Sequence, residues 1–183
     1  MSARLILQFL GMPQVHLDDK PVATDRRKAV ALLAYLAVNG IEHPRQKYSR
    51  EALSALFWPE YTQAKAFANL RRTIWEIHQA LDEGWMITDR DSVCLNVESG
   101  IDLDVARFLD LLSQGRQQEN TALRLPLLAD SVKLYRGHFL AGFSLKDAYP
   151  FNEWAFAESE DLRRKFAEAL TMLVESHCAL QQA

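Results

Sequence analysis

Cysteine is nearly absent from the 183 residues. Cys94 and Cys178 stand far apart and outside any CxxC or Cys/His spacing. That pattern excludes a zinc-ligand set and a disulfide framework, and reads both thiols as reduced packing residues. No run approaches the roughly 20 consecutive apolar residues of a membrane span. The opening Met1-Ser2-Ala3-Arg4, followed by Leu5-Ile6-Leu7, is too short for a secretory apolar core. A membrane is thereby excluded as a partner, and the cytoplasm is the expected compartment. Catalytic spacing is missing too. His16, His43, His78, His138 and His177 lie outside any HExxH, GxSxG or P-loop setting. Glu158, Glu160 and Asp161 share one helical stretch and read as a solvated face rather than an acid–base pair. No enzyme activity, cofactor or metal is expected.

What is present is an ordinary globular composition, 49% hydrophobic and 25% charged, long enough for one or two domains. The net charge of −3 is unevenly distributed. Residues 1–101 hold twelve basic and twelve acidic residues, and 102–183 hold nine and twelve, so the acidic excess belongs entirely to the second half. Between Lys20 and Arg50, seven basic residues face only Asp25 and Glu42. A polyanion would dock there, since phosphate neutralisation supplies most non-specific affinity for nucleic acid.

The chain opens with two or three short antiparallel strands: Leu5 to Leu10, ended by Gly11 and Pro13, then Val15-His16-Leu17 and a turn through Asp18-Asp19-Lys20-Pro21. From Arg26 the period becomes helical through Ala29, Val30, Leu33, Leu36 and Ala37, with Asp25 as N-cap and Asn39-Gly40 as terminator. Ser49 caps a second helix that Pro59 stops. Thr62 opens a third, running to Leu81, whose apolar stripe is Phe67, Leu70, Ile74, Ile77 and Leu81. Lys65, Asn69, Arg72, Glu76 and Gln79 fall opposite that stripe, with Arg71 and Trp75 on its flank. A hairpin follows, about 85–97, with Asp89-Arg90-Asp91 at its tip. From Asp102 only helices are expected: 105–112, 122–135 and 151–179, packed as a helical repeat. The fold class is therefore mainly α with small β elements, a winged helix-turn-helix (1–101) followed by an all-α tetratricopeptide-like unit (102–183). A final helix without further repeats reads as cut from a longer array.

A helix-turn-helix puts its second helix in the major groove, where Arg, Lys, Asn and Gln read base edges while nearby basic groups hold phosphates. Here that helix is 62–81. Asn69 suits adenine, Arg72 suits guanine, and Lys65 and Arg71 suit base or phosphate. Arg26, Arg27, Lys28 and Arg50, at the starts of the first two helices, are the phosphate candidates, and Arg90 at the hairpin tip is the minor-groove candidate. Trp58, Trp75 and Trp85 are read as packing residues.

Several stretches, in this order, resemble the Streptomyces antibiotic regulatory protein family, in which an OmpR-type winged helix precedes a bacterial transcriptional activator domain. They are Phe9-Leu10-Gly11, Pro13, Pro21-Val22, Arg27-Lys28-Ala29 with Leu32 to Ala37, Ser49-Arg50-Glu51, Leu56-Phe57-Trp58-Pro59-Glu60 and Ala68-Asn69-Leu70-Arg71. Asp104-Val105 with Phe108, and Tyr135-Arg136-Gly137 with Phe139-Leu140, match the start of the activator domain. The resemblance implies a regulator that binds direct repeats in promoter double-stranded DNA as a dimer or side-by-side pair, and contacts RNA polymerase. Glu76 and His78 depart from it where a further basic residue is usual, and Asp89 and Asp91 flank the wing arginine. These departures motivate an alternative: a protein-interaction scaffold whose winged helix is a packing module without DNA binding.

Overall fold

A computed structural model describes residues 4–22, 27–44, 46–82, 84–96 and 99–181. Asp25, the expected cap of the first helix, and Arg26 lie outside the described residues.

Strand β1 (Leu5–Gln8) pairs antiparallel with β2 (Gln14–Leu17), which pairs with β3 (Lys20–Pro21). The β2–β3 turn uses Asp18 and Asp19, both at positive φ (48° and 64°), the turn sense that matches the twist of a hairpin. Alternation along β1 buries Leu5 and Leu7 completely. A fourth strand, β7 (Ile101–Leu103), runs parallel to β1 with Leu5 opposite Ile101, giving the order β3-β2-β1-β7. The sequence reading contains no such strand, because three residues show no period of their own and their partner lies some ninety positions away.

Helix α1 (Arg27–Glu42) buries Ala29 to Ala34 and Leu36 to Val38. It runs past Asn39-Gly40, the expected terminator; the Asn39 side chain donates back to the Tyr35 carbonyl (2.8 Å), one helical turn earlier. Strand β4 (Tyr48–Ser49) leads into α2 (Arg50–Phe57), where the Ser49 hydroxyl accepts from the Ala52 amide (3.1 Å) and the Trp58 amide closes onto the Ser54 carbonyl. Helix α3 (Gln63–Leu81) follows. Strands β5 (Met86–Thr88) and β6 (Ser92–Leu95) form the expected hairpin, and β4 completes a three-stranded sheet in the order β4-β6-β5.

The helical half consists of α4 (Asp104–Gln117), α5 (Thr121–Leu134, capped by the Asn120 side chain) and α6 (Tyr149–Gln181). The helices pack in sequence, α4 on α5 and α5 on α6. Phe108, Tyr135 and Phe166 form one ring cluster across them, with Tyr135 stacked on Phe166 at 4.1 Å. Charged residues on α6 pair along its surface, Glu160 with Arg163 and Asp161 with Arg164 and Lys165.

The two halves share one core. Tyr35 of α1, Phe57 of α2 and Phe151 and Trp154 of α6 pack edge-on or tilted against one another at centroid separations of 4.9–6.1 Å. A boundary at 101/102 cuts through β7, which belongs to the first sheet. At the seam Asp104 is 6% exposed; its carboxylate accepts the amides of Phe9 (2.8 Å) and Leu10 (2.9 Å) and pairs with Arg136 (3.1 Å). Burial pushes this carboxyl above its ordinary range, while the two amides and Arg136 pull it down. Gly11 (φ +124°) and Gly137 cross here: a Cβ on Gly137 would lie 3.4 Å from the Gly11 Cα, and one on Gly11 would lie 3.4 Å from the Arg136 Cβ. Two glycines far apart in sequence thus form a single crossing point, sealed by a bridge between Leu10 and Phe139.

Candidate nucleic-acid interface

The inner face of α3 comprises Ala66, Leu70, Thr73, Ile74, Ile77 and Leu81. Its outer face exposes Ala64, Lys65, Ala68, Arg71, Arg72, Trp75 and Gln79. This rotates the expected face. Phe67, placed in the stripe by sequence, is only half-buried, as are Asn69 and Glu76, placed opposite it. Trp75, expected on the flank, is 59% exposed on the outward side. The physical reason is that the small residues Ala66 and Thr73, not Phe67, approach the core, and at about 100° per residue that turns the outward direction toward Ala68 and Trp75. Trp75 was therefore missed as a surface residue; counting small residues as inward-facing would have found it.

On this face Arg72 pairs with Glu76 one turn along (3.1 Å), and the Lys65 ammonium sits 4.4 Å from the centre of the Tyr61 ring. Arg71 lines a recess of about 490 Å³ with Phe67, Arg50, Asp89 and Arg90, so one flank of α3 opens onto the hairpin. The hairpin turn is fixed by Asp89. Its carboxylate accepts the amides of Asp91 and Ser92, the Ser92 hydroxyl and the Lys47 ammonium. Those bonds, the Ser92 hydroxyl foremost, hold its carboxyl well below the usual carboxylate range. Asp89 is thus a structural anion facing its own turn. Arg50 braces the same turn, donating its Nε to the Asp89 carbonyl (3.0 Å) and its amide to the Asp91 carbonyl (2.9 Å). Arg90 is exposed at the tip and forms no ion pair among the described residues.

The start of α1 is arranged differently from a free phosphate grip. Lys28 donates to the Phe57 carbonyl (2.7 Å), pairs with Asp147 (2.9 Å) and lies over Trp58; its side chain is 18% exposed. Arg27 stays exposed, yet donates its Nε to the Ser144 carbonyl (3.1 Å) and covers Phe143. Both basic groups therefore fasten the loop between α5 and α6 to the first half. A cleft of about 720 Å³ results, lined by Arg27 and Lys28, by Asn69, Arg72 and Thr73 of α3, and by Ser144 to Asp147. The predicted set is thereby divided: Arg50, Arg71 and Arg90 meet on the hairpin flank, Asn69, Arg72, Arg27 and Lys28 on the other, and Lys65 lies near Tyr61. Among the described residues no group of His, Cys, Asp and Glu could hold a metal ion, and no helix is long and apolar enough to cross a membrane.

The architecture defines a class: a winged helix-turn-helix followed by a three-helix unit. Residues 103–183 match the family described as bacterial transcriptional activator domain. The fold is similar to that of Mycobacterium tuberculosis EmbR, solved in complex with a low-affinity phosphopeptide, with a TM-score of 0.74 at 21% identity over 98% of this chain. This chain spans 47% of that one, about half its length. No curated protein matches the sequence. The family match covers residues 103–183, and the likeness to EmbR is one of fold.

Proposed function

We propose that this chain is a sequence-specific DNA-binding transcriptional regulator, with α3 in the major groove and the β5–β6 hairpin over the adjacent minor groove. The observation that carries the reading is the exposed face of α3, Lys65-Ala68-Arg71-Arg72, flanked by a hairpin whose turn is braced to present Arg90. Small Ala64 and Ala68 let the helix backbone approach base edges. Arg72 is the guanine reader, and Lys65 and Arg71 reach base or phosphate. Asn69 reaches adenine from the flank, while Arg26, Arg27 and Arg50 supply backbone contacts. The helical unit serves pairing on promoter repeats and contact with RNA polymerase.

Selection from genomic fragments with purified protein should enrich a repeated motif, bound at least about a thousandfold more tightly than a scrambled control. Exchanging Arg71 and Arg72 together for alanine should then weaken binding by about 2–4 kcal/mol, roughly 30- to 1,000-fold. Unchanged affinity in that variant would remove α3 from the groove. Exposed apolar side chains, Trp75 at 59% and Ile87 at 48%, favour the scaffold reading instead. In that case the same face binds protein and the interaction is insensitive to salt, whereas DNA binding falls steeply with it.

A further inference from the structure

The flank of α3 away from the hairpin is lined by a loop of the activator domain. That loop, residues 143–147, is firmly held. Leu145 and Ala148 are buried. The Asn152 side chain clasps the Leu145 main chain on both sides, accepting its amide (3.0 Å) and donating to its carbonyl (2.6 Å). Arg27 holds the Ser144 carbonyl and Lys28 holds Asp147. Every one of these ties leaves Lys146 out: its side chain is exposed, forms no ion pair among the described residues, and stands on the cleft shared with Asn69, Arg72 and Arg27.

We infer that Lys146 contacts the DNA backbone on the flank of α3 opposite the hairpin, so that the activator domain itself supplies part of the DNA interface. The inference rests on the proposed DNA-binding function. A duplex seated on α3 presents a row of phosphates along each margin of its major groove. One margin meets Arg50, Arg71 and Arg90. The other meets Arg27 and Lys146. Asp147, the anion beside Lys146, is exposed but paired with Lys28. The held loop fixes where the Lys146 backbone stands, while its flexible stem carries a point charge that suits a phosphate better than a base edge. Its role is affinity and register, without sequence preference.

Lys146→Ala, Lys146→Arg and the Arg71/Arg72 double variant are compared with the wild-type chain on the selected fragment. Phosphate-ethylation interference and titrations at 50 and 200 mM salt supply the readouts. Losing one phosphate contact lowers the salt slope by about 0.9, so the affinity advantage of wild type over Lys146→Ala shrinks about 3.5-fold between the two salt concentrations. One interfering phosphate vanishes from the ethylation pattern, Lys146→Arg restores both, and base preference stays unchanged. If Lys146→Ala keeps the wild-type slope and ethylation pattern while the double variant loses binding, the Lys146 contact is wrong and the recognition helix stands. If wild type selects no fragment, both are overturned.

Discussion

Replacing Asp104 with alanine removes one side chain and leaves two buried amides without an acceptor. Phe9 and Leu10 are both fully buried, and an unmet buried donor costs about 1–3 kcal/mol, so the two amides set a gross loss of about 2–6 kcal/mol. Two effects offset part of it. The Arg136 side chain is 37% exposed and regains water when its partner goes, and the penalty of burying a carboxylate disappears. A net loss near 3 kcal/mol is expected, a large part of the 5–15 kcal/mol that holds a domain together. Asp104→Asn, which keeps one acceptor oxygen, should lose about half as much. Urea unfolding at pH 7 measures both. Trp58, Trp75 and Trp85 report on the first half and Trp154 on the second, so fluorescence also shows whether the halves still unfold together. A loss below about 1 kcal/mol for Asp104→Ala would refute the argument that this carboxylate holds the seam.

Gly115 lies where α4 meets α5, and a Cβ there would stand 2.7 Å from the Leu128 Cδ2. Gly115→Ala should therefore destabilise by up to about 2 kcal/mol in thermal or urea unfolding, an overpacking cost of about 1–3 kcal/mol less about 1 kcal/mol gained in helix propensity; a more stable variant would contradict the close packing. Arg116 forks onto Glu168 with two 2.7 Å bonds, which hold the Glu168 carboxyl below its ordinary range. A lowered folded value means stability present above the unfolded value, near 4.3, and lost as the pH falls through the folded one. Glu168→Gln should thus cost at most about 0.5–1 kcal/mol at pH 7, since both partners are over two-fifths exposed, and nothing near pH 2. A cost independent of pH would show that the pair contributes through packing rather than charge.

The helices of the first half were legible because each carries its own period and punctuation: Ser49 capping α2, Pro59 ending it, and Leu70, Ile74, Ile77 and Leu81 repeating down α3. Strands β4 and β7 were not, since two or three residues become strand only by pairing with Val93 or with Leu5 and Leu7. The candidate site shows the same division. Lys65, Arg71 and Arg72 could be placed on the surface of α3 from spacing alone. The tie of Lys28 to Asp147, the inward turn of Asp89 and the approach of Lys146 to α3 depend on where distant segments meet, which no local pattern encodes. Gly11 and Gly137 lie between: each belongs to a short motif, but only the fold shows that they touch.

The parallel pairing of β1 with β7 also orders events during synthesis. Residues 5–8 leave the ribosome before their neighbour β7, which is made about 93 residues later; the amides of Phe9 and Leu10 wait for Asp104, and the Phe9 carbonyl and the Gly11 main chain wait for the turn at 136–141. At roughly 5–20 residues per second, the first strand stays incomplete for several seconds while all three helices of the winged half have already emerged. We expect a nascent chain arrested after residue 100 to stay sensitive to protease and one arrested well past 141 to resist it, so that the winged half matures only once its neighbour has begun.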